Sequence, residues 1–232
     1  MPTSDFISAA ESGRWDIYGP IHKGLRLAHG ELLRRLGRAD FDAGVEAGLL
    51  ADLRTHLELA SKHLAHEEGV IHPALEARTP GATGRLDADH AHHQARFAML
   101  EGAVRAVEHA AAAARPALGR ALYIAFSAFV AEDLTHMARE ETETWPQLCA
   151  VLSDEEIAGL EMTIISSLSE ADNIAFMRMM LPAMNPAERT ALLTAMKSGA
   201  PPEAYAAVID LAARPALPPE DFAHLRTLGL AA

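Results

Sequence analysis

The sequence predicts an all-α protein, an up-down-up-down four-helix bundle followed by an extension of shorter helices. Three observations carry this. Ala and Leu dominate while aromatic residues make up only 5%, which favours helices over strands. Four long amphipathic segments alternate with short connections, so neighbours in the chain run antiparallel. Two of those segments end in copies of one motif, set out below.

The first helix is expected over about 15–37, ending near Gly37, with Asp40 opening the next segment. The second runs from Asp42 to the neighbourhood of Pro73, about 42–76, and the breakers Thr79-Pro80-Gly81 and Gly84 close it. The third covers about 86–112 with Asp87 as its cap, and the fourth about 116–148, with Pro116 in its first turn and Pro146 near its end. Residues 1–152 form the expected bundle and 153–232 the extension. Capping boxes at Ser153–Glu156 and Asn185–Glu188, and the pairs Pro201-Pro202 and Pro218-Pro219, mark helix starts there. Met177, Met179, Met180 and Met184 are expected to fill gaps where the extension packs on the bundle.

The bulk numbers exclude several classes of function. A formal net charge of −12 repels nucleic acid and anionic lipid, and no basic cluster offsets it; Arg34 and Arg35 are the densest basic spot in the bundle. No apolar run reaches membrane-spanning length, and the N-terminal residues lack the form of a signal peptide. Cys149 is the single cysteine, so there is no internal disulfide framework, and the cytoplasm is the expected compartment. Histidine stands out, with 12 residues against 20 Lys plus Arg.

Residues 63–75 and 136–148 both read H-x3-E-E-x4-P-x-L. The offset is 73 from His63 to His136 and again 73 from Glu67 to Glu140, so the chain reads as two copies of one helical hairpin. Residues four apart share a helix face, so each copy presents an imidazole and a carboxylate to one point, a donor set for divalent transition metals. In an up-down bundle the second and fourth helices finish where the first and third begin. His22 and His90 lie near those beginnings, at the depth of His63 and His136. Each is followed by a helical stripe: Leu25, His29, Leu32 and Leu36 after His22, and Phe97, Leu100, Val104 and Val107 after His90.

His22, His63-x3-Glu67, His90 and His136-x3-Glu140 resemble the ligand pattern of the hemerythrin family in its divergent HHE cation-binding form, over roughly residues 15–150. The resemblance implies a non-haem dinuclear centre of two iron ions, oxo- or hydroxo-bridged, with zinc or manganese as substitutes. His22 and His63 would serve one iron, His90 and His136 the other, and Glu67 and Glu140 would bridge. Oxygen-carrying members resemble a five-histidine pattern with two histidines four apart on the third helix. Here position 94 is Gln, and His93, one turn from His90, is a candidate fifth ligand or a donor behind the ligands. Simple oxygen carriage is therefore not the expected role. The readings that follow are binding or sensing of oxygen, NO, peroxide or iron and redox state; a di-metal oxidase or peroxidase acting on a small molecule; and an iron-responsive interaction with a protein partner that the sequence does not identify.

Glu68 and Glu141 repeat after the proposed bridges and are expected at the solvated end, with a hydrogen bond to a ligand as the alternative. His66 and His72 are assigned to the rim, and His29, His56, His92, His109 and His224 to the surface or a second layer. Tyr18 lies one turn before His22 and could approach the metal pocket. Cys149 reads as a packed thiol.

Overall fold

The computed structural model describes residue 14, residues 16–43 and residues 47–232. The expected helix start at Trp15 and the reading of the first residues lie outside that set. Described residues are helical or in turns and short connections, with no strand among them. Two compact units emerge, one built on Ala28–Ile164 and one on Asp16–Leu27 with Ile165–Ala232.

The first unit is a closed ring of four helices. α1 (Gly19–Arg38) contributes its length from Ala28 onward. α2 (Ala47–His66) continues through a π-helical turn, Glu67–Ile71, into His72–Arg78. α3 spans Gly84–His109, and α4 (Arg115–Arg139) passes through a second π-helical turn, Glu140–Thr144, into Trp145–Val151. Pairs between successive helices fix the order. Arg35 meets Asp52 across α1 and α2, Arg54 meets Glu101 and Glu108 across α2 and α3, and Arg96 meets Glu132 across α3 and α4. His29 and Asp133 close the ring from α1 to α4. Inside lie the apolar stripes of each helix, including Leu32, Leu36, Leu53, Leu57, Phe97, Leu100, Val104, Leu122, Phe126 and Phe129, all buried. Spacing of three and four residues puts each set on one helix face, and burying those faces is the main favourable term for the bundle.

Several boundaries differ from expectation for local reasons. Asp42 does not open α2; it lies in a turn, where the Asp40 carboxylate accepts hydrogen bonds from the backbone N–H groups of Asp42 and Ala43. Asp87 is not the cap of α3 but sits in its first turn, accepting from the Thr83 hydroxyl and from His72 Nδ1–H. Pro73 and Pro146 do not end their helices. Each falls at the start of the α-helical turns that resume after a π turn. A proline ring clashes with the carbonyl four residues back and lacks the N–H to bond it, and the wider i→i+5 register of the preceding turn absorbs both defects.

α5 (Asp154–Ser167) opens with the expected box: Glu156 N–H bonds Ser153 Oγ at 3.2 Å, and Ser153 N–H bonds the Glu156 carboxylate at 2.8 Å. The second unit then adds α6 (Glu170–Met180), α7 (Pro186–Gly199), α8 (Pro202–Ala207, extended by a π turn and Arg214–Ala216) and α9 (Pro219–Thr227). The α6–α7 and α8–α9 pairs are copies that sequence reading missed. Pro182-Ala-Met184-x-Pro186 recurs as Pro215-Ala-Leu217-x-Pro219, an offset of 33. Met184 and Leu217 take the same extended backbone and are both buried. Met177 and Met184 belong to this unit's own core, with Leu181, Leu193, Val208, Ala212 and Leu225, and Met180 packs against it. Met177, Met180 and Met184 therefore fill this unit's own core. Within the same unit Gly24 of α1 meets the Met179 backbone so closely that a Cβ would lie 3.1 Å from its carbonyl oxygen.

Candidate metal centre

The repeat seen in sequence becomes a repeat of backbone. Both π-helical turns begin on the second motif residue, at Glu67 and at Glu140. His72 N–H bonds the Glu67 carbonyl, and Trp145 N–H bonds that of Glu140. Such single π turns are rare and gather at functional sites. The motif's shared proline was the signal for them, two residues beyond the last residue of each turn.

Four side chains from three helices converge here. One donor atom each from Glu67, His90, His136 and Glu140 lie within 4.8 Å of one another, and all four residues are buried. His90 Nε2 stands 3.0 Å from His136 Nε2, 3.5 Å from Glu67 Oε2 and 3.8 Å from Glu140 Oε1. His136 Nε2 is 3.2 Å from Glu140 Oε1. Glu67 also lies 3.1 Å from His63 Nε2, so its carboxylate stands between a histidine of α2 and one of α3.

The far side of each ring decides which nitrogen is free. His90 Nδ1 donates to the Glu68 carboxylate at 3.2 Å, and His136 Nδ1 stands 3.7 Å from Asp89. A proton on Nδ1 leaves the Nε2 lone pair facing inward, which is the tautomer a ligand needs. Two lone pairs 3.0 Å apart beside two buried carboxylates repel unless a cation or shared protons sit among them. Burial lowers the proton affinity of both rings. In the metal-free chain the Glu140 hydrogen bond, with the Glu67 charge, outweighs this and holds both above the ordinary histidine range. The donor set of imidazole and carboxylate fits a divalent transition metal, so the residues present suit the group that the repeat implies.

Of the other expected ligands, His63 lies beside Glu67 as described. His22 is fully buried on α1, with its ring 5.2 Å from that of Tyr18 by centroids, and falls in the second compact unit. His93 is buried but stays outside the converging group; its ring lies edge-on to His136 at 5.0 Å. Glu68 takes the alternative role, holding a histidine of the site. His72 is buried rather than at the rim, 4.8 Å from the His90 ring. His92 is exposed and pairs with Glu132.

Below this layer lies a polar chain that periodicity did not reveal. His29, His56 and Asp133 are all buried among Phe126 and Phe129. His29 Nε2 lies 2.7 Å from Asp133 Oδ2, and His56 Nε2 lies 2.9 Å from His29 Nδ1. Burial pushes the Asp133 carboxyl up, but the His29 hydrogen bond overrides it and keeps the group ionised. An ionised carboxylate only accepts, so His29 donates from Nε2 and offers Nδ1 as acceptor. His56 then donates from Nε2, and its buried Nδ1 is left with no hydrogen-bond partner among the described residues. Burial, reinforced by His29, pushes His56 down to about 3.

That shift has a sign. His56 binds a proton below pH ~6.5 when unfolded but not when folded, so its stabilising contribution is whole above 6.5 and declines as pH falls toward 3. The slope is about 1.4 kcal/mol per pH unit for one such group. His72 and His93, also lowered chiefly by burial, act in the same direction. His90 and His136 act above pH ~6.5, where their contribution fades as they lose protons, so the two windows do not overlap. Urea unfolding of the metal-free protein between pH 7 and 5 should show stability falling with acid, and His56→Phe should make the fall shallower; an unchanged slope in the variant would remove His56 as its source.

A bundle in which imidazoles and paired carboxylates meet on π turns defines a class, the all-helical cation-binding proteins. The family model described as Hemerythrin HHE cation binding domain matches residues 21–148. The chain belongs to this family. No curated protein and no solved structure matches it. Among the described residues no helix is long and apolar enough to cross a membrane.

Proposed function

We propose that the chain holds two iron ions and uses their remaining coordination positions to bind or sense oxygen, NO or peroxide in the cytoplasm. The observation that carries this is Glu67, a buried carboxylate set between His63 and His90, with Glu140 as its repeat partner beside His136. Carboxylates shared between imidazoles of different helices are how helical bundles hold metal pairs. His90 and His136 would serve one ion and His63 with His22 the other, with Glu67 and Glu140 between them. His22 enters through the helix that bears it. It lies seven residues before His29, two turns along the same face of α1, and His29 points inward to Asp133. Bound iron would supply Lewis acidity and a reversible electron, and zinc or manganese could occupy the same donors without the same redox use.

The residues around the site orient and insulate it. Glu68 fixes the His90 ring, Asp89 stands behind His136, and the Phe126–Phe129 layer excludes water from below. Metal content by elemental analysis, read with the absorption spectrum in air and after reduction, tests the proposal. About two irons per chain with a near-ultraviolet band that bleaches on reduction supports it. No stoichiometric metal after anaerobic iron loading overturns it.

A further inference from the structure

His72 is a buried histidine beside the metal centre that the dinuclear reading does not use. It follows Glu67 by one π turn, with its N–H on the Glu67 carbonyl. Its ring lies 4.8 Å from that of His90, tilted by 31°, and its side chain is only 5% exposed. Nδ1–H donates to Asp87 Oδ1 at 2.9 Å, which leaves the lone pair on Nε2. That nitrogen is buried and has no hydrogen-bond partner among the described residues. A carboxylate behind an imidazole is the arrangement that also holds His90, and it readies the other nitrogen for a metal. His72 nevertheless stands outside the four donors that already lie together. It is a donor of the metal-binding kind placed next to the centre, and leaving its buried Nε2 unused is costly.

On its other side His72 faces solvent through Asp87, whose side chain is 54% exposed. Thr83 Oγ stands 3.0 Å from Asp87 Oδ2 and 3.2 Å from Glu76 Oε2, so one hydroxyl proton serves two carboxylates. Glu68, 44% exposed, lies behind His90. Among the described residues none of Glu68, Glu76 and Asp87 pairs with an arginine or lysine. The α3–α4 side differs. A cleft of about 350 Å³ opens there, lined by Asp89, Glu132, Thr135 and His93 among others, but Arg139 holds Asp89 and Arg96 holds Glu132. Carboxylates without a paired cation concentrate divalent ions near them, and paired ones do so far less. The internal repeat shows that packing does not demand the His72–Asp87 pair. At the offset of 73 His72 corresponds to the buried Trp145, and at the offset of 68 that relates His22 to His90, Asp87 corresponds to Gly19.

We propose that Asp87 and His72 form the route by which the centre is loaded: a divalent transition-metal ion is collected from solvent at Asp87 and handed by His72 Nε2 to His90 and the donors beside it. The inference rests on the dinuclear reading above. His72 touches the ion only in transit and is not a ligand of the loaded centre. A group that acts only in transit lowers the barrier from both directions. Its removal therefore slows uptake and release by the same factor and leaves their ratio, the affinity, unchanged.

Cobalt(II) is the probe, mixed with the metal-free full-length protein and followed by the visible absorption it gains from imidazole ligands. Release is timed by capture with excess chelator, and bound cobalt is counted on every sample. His72→Phe keeps an aromatic ring without a donor, as at the paired position. Uptake and release should both slow about tenfold in this variant, with affinity and cobalt content as in the parent. Asp87→Ala, at an exposed position, should slow uptake at low salt about tenfold and weaken its dependence on salt. Thr135→Trp, in the α3–α4 cleft, should keep the parent rates. Loss or weakening of a bound cobalt in His72→Phe would make His72 a ligand and overturn its role in transit. Parent-like rates in His72→Phe and Asp87→Ala, or slowing in Thr135→Trp alone, would overturn the route while leaving the dinuclear reading standing. A parent chain that binds no cobalt would instead defeat the reading on which the inference rests.

Discussion

Glu140→Gln should leave the chain holding one metal ion or fewer where the parent holds about two. The variant keeps the shape of the side chain and removes the negative charge that stands 3.2 Å from His136 Nε2 and 3.8 Å from His90 Nε2. An amide is a weak ligand and a poor bridge, and the His90–His136 lone pairs then lack the charge that draws a cation between them. The loss should register in stability as well. Metal at a thousandfold excess over its dissociation constant stabilises a fold by about 4 kcal/mol, which for a chain of this size corresponds to a rise in Tm of roughly 10 °C. Most of that rise should disappear in Glu140→Gln. Glu143→Gln, an exposed neighbour in the same π turn, should keep both the metal and the rise. Full metal content in Glu140→Gln would take Glu140 out of the site.

The second large effect is confined to the other unit. Arg189 is buried, and its guanidinium holds three acceptors at once: Nε–H bonds the Leu181 carbonyl at 3.0 Å, Nη2–H bonds the Met184 carbonyl at 2.9 Å, and Nη1 pairs with Asp221 at 3.0 Å. Leu181 and Met184 flank the junction between α6 and α7, and Asp221 lies in the first turn of α9. One planar fork thus ties the two copied hairpins together. Arg189→Ala orphans the carbonyls and opens the core around Leu193 and Leu225, a cost of about 3–5 kcal/mol. Arg189→Lys retains the charge but not the fork, and should recover less than half. Hydrogen exchange resolved by segment is the measurement. Faster exchange should concentrate in residues 165–232, with residues 84–151 close to the parent; an effect spread evenly over both would show that the two units unfold as one.

Much of the site was legible because its chemistry is written at helical spacing. His63-x3-Glu67 and His136-x3-Glu140 place donors one turn apart whatever the tertiary structure, and a constant offset tied the two motifs together. The four long helices and the boxes at Ser153 and Asn185 were equally local matters of face periodicity and of side chains that reach their own backbone. Helix starts at Asp42 and Asp87 were misread because an aspartate serves a turn, a cap or a neighbouring histidine equally well. Which partner it takes depends on what lies nearby, here Thr83 and His72 for Asp87.

The sequence by itself pointed to the helical class and to the candidate donors Glu67, His136 and Glu140 through residue type at fixed separation along one helix, and to His90 and the family through bundle topology and resemblance to the HHE pattern. Tertiary structure decided the rest. It turned Glu68 into the partner of His90 and buried His29 and His56 against Asp133. It left His93 beside a cleft rather than among the converging donors, and gave Met177, Met180 and Met184 a core of their own. Each of these is a meeting between helices. Periodicity reports which face of a helix is inward, while the depth and rotation at which faces meet are set by the packing of the whole core.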